Sequence, residues 1–199
     1  ATGKGSRADR GAMSTQTHHK VKLTYEDYLL FPEDGRRHEL IDGEHFMTPA
    51  PSTRHQRISL KLASSLHAHL QRTKAGEVFH APTDVVLSEQ DVVEPDLLFV
   101  SAARSSIVTE KNIQGAPDLV VEIISETSRK TDKTIKRKLY EGYGVREYWI
   151  VDPELETVEV YRMTHGGYVR AAELSREADQ ALETPLLPGF QLKLSDIFS

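Results

Sequence analysis

The apolar and polar positions of the chain repeat with two different periods, and each period predicts its own kind of element. Between Ser52 and Arg72, Ile58, Leu62, Leu66 and Leu70 recur every four residues while Arg57, Lys61 and Gln71 fall elsewhere. That spacing predicts a helix with one face for a sheet. Upstream, Thr24-x-x-Asp27 ahead of Tyr28, Leu29 and Leu30 has the form of a capped short helix, closed by Phe31-Pro32-Glu33-Asp34-Gly35. The segment HELIDGEHFM then carries two short alternating runs about Asp42-Gly43, a residue pair suited to the two positive-φ positions of a tight hairpin turn.

Beyond the long helix, GEVFHAPTDVVLSEQDVVEPDLLFV reads as consecutive strands with Ser88-Glu89-Gln90-Asp91 as the polar turn. After a polar loop around residues 101–116, PDLVVEIIS is almost continuously apolar and rich in Val and Ile. Such a strand is covered on both faces and belongs at the centre of a sheet. Thr127 or Ser128 opens a basic helix that runs through Tyr140 and ends at Gly142 and Gly144, and REYWIVDP follows as a strand stopped by Asp152-Pro153. Strand, helix and strand in this order make a βαβ unit, and TVEVYRM with YVRAAEL extend the sheet antiparallel before PLLPGFQLKLSDIF. The expected fold class is α/β in the α+β sense: a mixed sheet flanked by helices, with an N-terminal hairpin and an antiparallel C-terminal extension.

Residues 20–199 read as one domain. The small, basic, polar run through residue 19 reads as a disordered tail, with Met13-Ser14 resembling a native start behind a cloning remnant and His18 and His19 as part of a mobile end.

Composition narrows the chemistry. The 199 residues contain no cysteine, which excludes a disulfide framework, a thiolate nucleophile and a sulfur-ligated zinc, and leaves His, Asp and Glu for a hard cation. A net charge of -5 speaks against non-specific coating of nucleic acid, while a local basic patch stays compatible with it. No apolar stretch has the roughly 18 residues that a bilayer demands, and no signal-peptide core is visible, so a cytoplasmic protein without a membrane partner is expected.

Two acids stand out because they sit in apolar strands. Asp96 follows Pro95 at the start of one, and Glu122 is embedded in LVVEIIS. A carboxylate there is costly unless it is paired, hydrogen-bonded or bound to a cation. The bland alternatives are a strand-end cap for Asp96 and a buried salt bridge for Glu122. Side by side, the two would suit Mg²⁺ or Mn²⁺. The helix after Glu122 holds six basic residues between Arg129 and Lys138 against one acid, Asp132. Alone this is an ordinary solvated face; beside two acids, Lys136 becomes the candidate to stabilise charge on a phosphate or to orient water. His55, on the face of the long helix that meets the sheet, is a candidate to hold a carboxylate or touch substrate, against the commoner fate of a packed or capping histidine. His67 and His69 are two apart on a helix and point different ways, and Tyr140, Tyr148 and Trp149 read as core.

Taken in order, HELIDGE, a helix beginning near His55, TDVVL, EPDLLFV, PDLVVEIIS, Asp132 with Lys136, GVREYWIVDP and PLLPGF resemble the Uma2 (DUF820) family. The likeness runs from about Leu23 to Phe198, and the family is placed in the restriction-endonuclease-like PD-(D/E)xK superfamily. The resemblance implies a mixed sheet flanked by helices, a divalent-cation site and hydrolysis of phosphodiesters. Asp96 corresponds to the Asp of the PD motif and Glu122 to the acid of (D/E)xK. Ile124 stands where that motif has its lysine, and similar branches carry the lysine on the next helix, where this chain has Lys136. Asp84 in TDVVL is a candidate further metal ligand or supporting acid, and Glu39 or Glu44 of the hairpin a candidate accessory acid.

The resulting expectation is a DNA endonuclease dependent on Mg²⁺ or Mn²⁺, working as a homo-oligomer such as a dimer, with Asp96, Glu122 and Lys136 catalytic and Asp84 assisting with the metal. The rival is a catalytically silent binding or assembly module that keeps the fold. Acids converging on an open cleft would favour the enzyme, and an arginine lodged between them the rival.

Overall fold

The computed structural model describes residues 21–199; the tail expected through residue 19, with His18 and His19, lies outside the described residues. Helix α1 (Tyr25–Tyr28) opens on a capping box in which Thr24 and Asp27 each take the other's backbone N–H. Strands β1 (Arg37–Ile41) and β2 (Glu44–Thr48) pair antiparallel across Asp42 and Gly43, whose φ values of 52° and 68° are those the hairpin turn requires. Ser52 caps α2 (Thr53–Thr73) by accepting from the His55 N–H, and the four-residue repeat Ile58, Leu62, Leu66, Leu70 is its buried stripe.

The next strands divide between two sheets. β3 (Gly76–His80) and β6 (Leu97–Ser101) pair with each other, whereas β4 (Val85–Ser88) and β5 (Asp91–Val93) leave to join the hairpin. The consecutive strands expected from sequence are present, but they do not form one ladder. The chain changes sheet at segments containing Pro82 and Pro95, and a proline has no N–H to give a ladder. A two-residue strand, β7 (Ile113–Gln114), adds to β4 in parallel from within the polar loop; it is too short to show a period.

β8 (Leu119–Ile123) and β9 (Glu147–Asp152) run parallel, joined by a π-wound stretch, Thr131–Lys136, that continues as α3 (Arg137–Gly142). β10 (Thr157–Thr164) and β11 (Gly167–Ser175) extend the sheet antiparallel, and β12 (Ala181–Glu183), β13 (Gln191–Lys193) and α4 (Leu194–Ile197) close the chain. The larger sheet has the order β11-β10-β9-β8-β6-β3 and the smaller β2-β1-β5-β4-β7. The apolar PDLVVEIIS segment is thus interior, as its composition predicts.

Alternation along the strands sends side chains to two cores. Leu97, Phe99, Val121, Ile123 and Trp149 face α2 and the C-terminal segment. Leu98, Val100, Val120, Tyr148 and Ile150 face the smaller sheet together with Tyr140 of α3. By the same parity, Asp96 and Glu122 point to this second side, between the sheets and the crossover helix.

One glycine marks how closely β3 and β6 approach. Gly76 has φ +154°, and a Cβ there would lie 2.1 Å from the Val100 carbonyl oxygen and 2.8 Å from the Phe99 ring. Gly76→Ala is expected to cost about 2–3 kcal/mol, as overpacking against backbone does. Gly142→Ala, with nothing within 4 Å, is expected to be neutral. Urea midpoints of the two variants check both outcomes, and equal midpoints would contradict them.

Candidate active site

β6 and β8 pair antiparallel with Leu97 opposite Val121. Carrying that register one residue further sets Asp96 across from Glu122, and both side chains are 3% exposed. Asp96 is fully engaged. Its Oδ1 meets Arg37 Nη1 at 2.5 Å, while Oδ2 accepts the Ile123 N–H at 2.7 Å and lies 3.1 Å from His55 Nε2. Burial alone would raise its pKa; the His55 bond and charge, Arg37 and the Ile123 N–H outweigh that and hold the carboxyl below its usual range.

Glu122 meets the opposite balance. Its Oε1 accepts from Tyr140 OH at 2.8 Å and from Lys136 Nζ at 3.0 Å. Burial, reinforced by the charges of Asp132, Asp96 and Glu39, exceeds the help of Lys136 and pushes the carboxyl up to about 8. Two neighbouring acids are thereby driven apart, one ionised and one protonated near neutrality, a separation typical of sites that handle protons.

Lys136 is the hub. Its ammonium lies 2.8 Å from Glu39 Oε1, 3.0 Å from Glu122 Oε1 and 3.7 Å from Asp132 Oδ1. Burial disfavours its charge, yet Glu122, Glu39 and Asp132 more than compensate and keep it protonated. The π-wound stretch and α3 supply this arrangement locally, because Asp132, Lys136 and Tyr140 recur every four residues and all three are buried. π-winding of this kind is frequent where a helix serves a site. The other basic residues turn outward: Lys133 meets Glu159, and Arg137 stacks over Tyr161.

Asp96, Glu122, Lys136 and their partners Arg37, His55, Glu39 and Asp132 line a cavity of about 390 Å³. Its buried acids are Glu39, Glu94, Asp96, Glu122 and Asp132, with Glu126 and Glu154 exposed on the lining, and its mouth includes Pro49, Pro51, Ser125 and Thr127. The structure therefore brings Asp96, Glu122, Lys136, Glu39 and His55 together. Asp84 stands apart from the lining: its Oδ1 accepts from Tyr28 OH at 2.8 Å, and that hydroxyl is 3.4 Å from Glu94 Oε1. Glu44 is exposed at the start of β2. His67 is exposed while His69 is buried against Phe190, so they do point apart. Among the described residues, no three His, Asp or Glu side chains are grouped as metal ligands. No helix among them is long and apolar enough to cross a membrane.

Three contributors escaped the sequence reading. Arg37 had a usable signal, since it is two residues before Glu39 in a strand and must share its face. Glu94 precedes Pro95 and Asp96 and was hidden by its apolar neighbours. Tyr140 is core, as expected, and its hydroxyl also serves Glu122.

Residues 25–195 match the profile of the Uma2 family, described as "Putative restriction endonuclease". The chain belongs to the Uma2 family. Among solved structures, this Uma2 chain is similar to a protein from Anabaena variabilis described as "a putative nuclease belonging to DUF820". The two share 22% identity over 88% of this chain and 97% of that one, with a TM-score of 0.74, which shows a common fold. The type IIG restriction endonuclease BpuSI also matches, at 15% identity over 76% of this chain and 16% of its own, with a TM-score of 0.38. No curated protein matches. Uma2 membership and the shared fold together indicate a restriction-endonuclease-like nuclease.

Proposed function

We propose that this protein is an endonuclease that hydrolyses phosphodiester bonds of DNA with Mg²⁺ or Mn²⁺ held by Asp96 and Glu122. The observation that carries this reading is the placing of both acids on adjacent strands at one cavity wall, with the Lys136 ammonium 3.0 Å from Glu122. The donor set fits a hard cation, because it consists of carboxyl oxygens with Glu39 and Glu94 close by, and the charge of a bound dication would favour ionised Glu122. Bound there, such an ion supplies a Lewis acid for the scissile phosphate and a more acidic water.

The chain's own groups have distinct tasks. His55 and the Ile123 N–H fix one oxygen of Asp96, so its carboxylate plane is set by the backbone of β8 and the start of α2. Lys136 stays cationic and so cannot be the base; it orients water at the wall or offsets charge growing on the phosphate. Asp84 acts at one remove, through Tyr28 towards Glu94.

Supercoiled plasmid incubated with Mn²⁺, Mg²⁺ or EDTA tests the reading. Wild type is expected to nick only with metal, and Asp96→Asn to slow nicking roughly 10²-fold, the loss typical of a group that holds a catalytic ion or charge. Absence of nicking with either metal, or equal rates in the variant, would overturn it. The Arg37 guanidinium on Asp96 favours a second reading, a silent module whose acids serve structure. In that case β11, at the edge of the larger sheet, offers a surface for pairing with another copy. The same assay separates the two.

A further inference from the structure

We infer that Arg37 is a movable counter-ion: it takes the cation's place at Asp96 until a divalent ion displaces it, and then passes to a phosphodiester oxygen of the DNA backbone. The inference rests on the nuclease reading above and specifies how metal and substrate would be coupled at that site.

Asp96 has one oxygen to offer a metal. Oδ2 is held by the Ile123 N–H at 2.7 Å and faces His55 Nε2 at 3.1 Å, whereas Oδ1 has Arg37 Nη1 at 2.5 Å. A divalent ion binding through Oδ1 therefore has to compete with the guanidinium.

The two cations paired with the cavity's buried acids, Lys136 and the half-buried Arg37, differ in their freedom to yield. Lys136 is 6% exposed at its side chain and lies within 4 Å of three acids. Arg37 is 20% exposed and makes its ion pair with Asp96. It is also the first residue of β1, opposite Thr48, at the open end of the hairpin that helps form the cavity mouth. A swing of its side chain leaves both cores intact.

The destination follows from charge and shape. A guanidinium left beside a newly bound dication is repelled by it, and its planar fork matches the paired oxygens of a phosphate. A DNA phosphate entering the cavity would receive Arg37 and vacate Oδ1, so DNA tightens metal binding and metal tightens DNA binding by the same factor.

Calorimetric titration with MnCl₂ tests this on the full chain as wild type, Arg37→Met, Arg37→Lys and Asp96→Asn, each with and without a phosphorothioate duplex that resists hydrolysis. Wild type is expected to bind Mn²⁺ roughly tenfold tighter with the duplex present. Arg37→Met is expected to bind Mn²⁺ roughly tenfold tighter alone and to gain nothing more from DNA. Arg37→Lys, which keeps the charge and loses the fork, is expected to hold Mn²⁺ as weakly as wild type and to show reduced coupling. A larger Mn²⁺-induced rise in melting temperature for Arg37→Met than for wild type gives the same answer without calorimetry. If Asp96→Asn abolishes Mn²⁺ uptake while Arg37→Met leaves affinity unchanged or weaker, the counter-ion role is overturned and the nuclease reading stands. If Arg37→Met tightens Mn²⁺ but keeps the full DNA coupling, the transfer to phosphate is overturned. If wild type takes up no Mn²⁺, or Asp96→Asn takes up as much, both readings fall together.

Discussion

Lys136→Met is expected to destabilise the protein by roughly 3–5 kcal/mol, the usual loss when one partner is removed from a buried ionic cluster. The packing lost is small, because methionine approximates the lysine stem. What changes is that Glu39 and Asp132 lose their counter-ion beside a protonated Glu122, in a buried site where solvent screens them poorly. Urea unfolding at pH 7 measures the loss, and adding Glu39→Gln to Lys136→Met should recover part of it, since one of the uncompensated carboxylates is then gone. A loss below about 1 kcal/mol, the range of an exposed pair, would show that the ammonium is not the neutralising centre of the cavity.

Stability is expected to fall as pH rises from about 5 to 8. Glu122 has an ordinary value of 4.5 and is pushed up to about 8 in the folded protein, first by burial and then by Asp132, Asp96 and Glu39. Between those two values the folded state holds a proton that the unfolded chain has released. The stabilisation is therefore complete below about 4.5 and gone above about 8, at up to roughly 1.4 kcal/mol for each pH unit in between. Asp132, Glu94 and Asp84 are also shifted up, chiefly by burial, and add to the same slope. Asp96, Asp118 and Asp152 are shifted down, so their contribution is present above the ordinary carboxylate range and is lost only in acid. Wild type should lose about 4 kcal/mol between pH 5 and 8 in EDTA, and Glu122→Gln should flatten most of that slope. Urea midpoints at pH 5, 6, 7 and 8 measure it; a level wild-type profile would mean that Glu122 is ionised throughout.

What could be read from the sequence was whatever a local rule governs. Asp42-Gly43 announced a turn because few other pairs accept its dihedral angles, and Ile58 through Leu70 announced α2 because a helix repeats on itself. Asp96 and Glu122 were conspicuous because each breaks an apolar run, and Lys136 because it stands a short helix away from Glu122. Contributors that depend on how two sheets stack left a weaker trace. Arg37 meets Asp96 only because β1 lies over the end of β6, an arrangement set by packing across 59 positions of chain. Glu94 reaches the cavity for the same reason, while Tyr140 meets it only through its hydroxyl on Glu122, and both roles belong to tertiary contacts that no short window contains. The departure of β4 and β5 from the main sheet likewise followed from contacts with the hairpin, although Pro82 and Pro95 marked where it happened.

β8 has two duties along a single strand. Val121 and Ile123 pack against α2, while Glu122 between them faces the cavity and the Ile123 N–H is spent on Asp96. The floor of the cavity can loosen only when the core does, so the Ile123 amide should exchange its hydrogen no faster than the whole molecule unfolds. Sequence drift at the floor is taxed twice, once as folding and once as chemistry. The rim around residues 49–52 and 125–128 carries no such double duty, and it is there that relatives sharing this scaffold can diverge in what they admit.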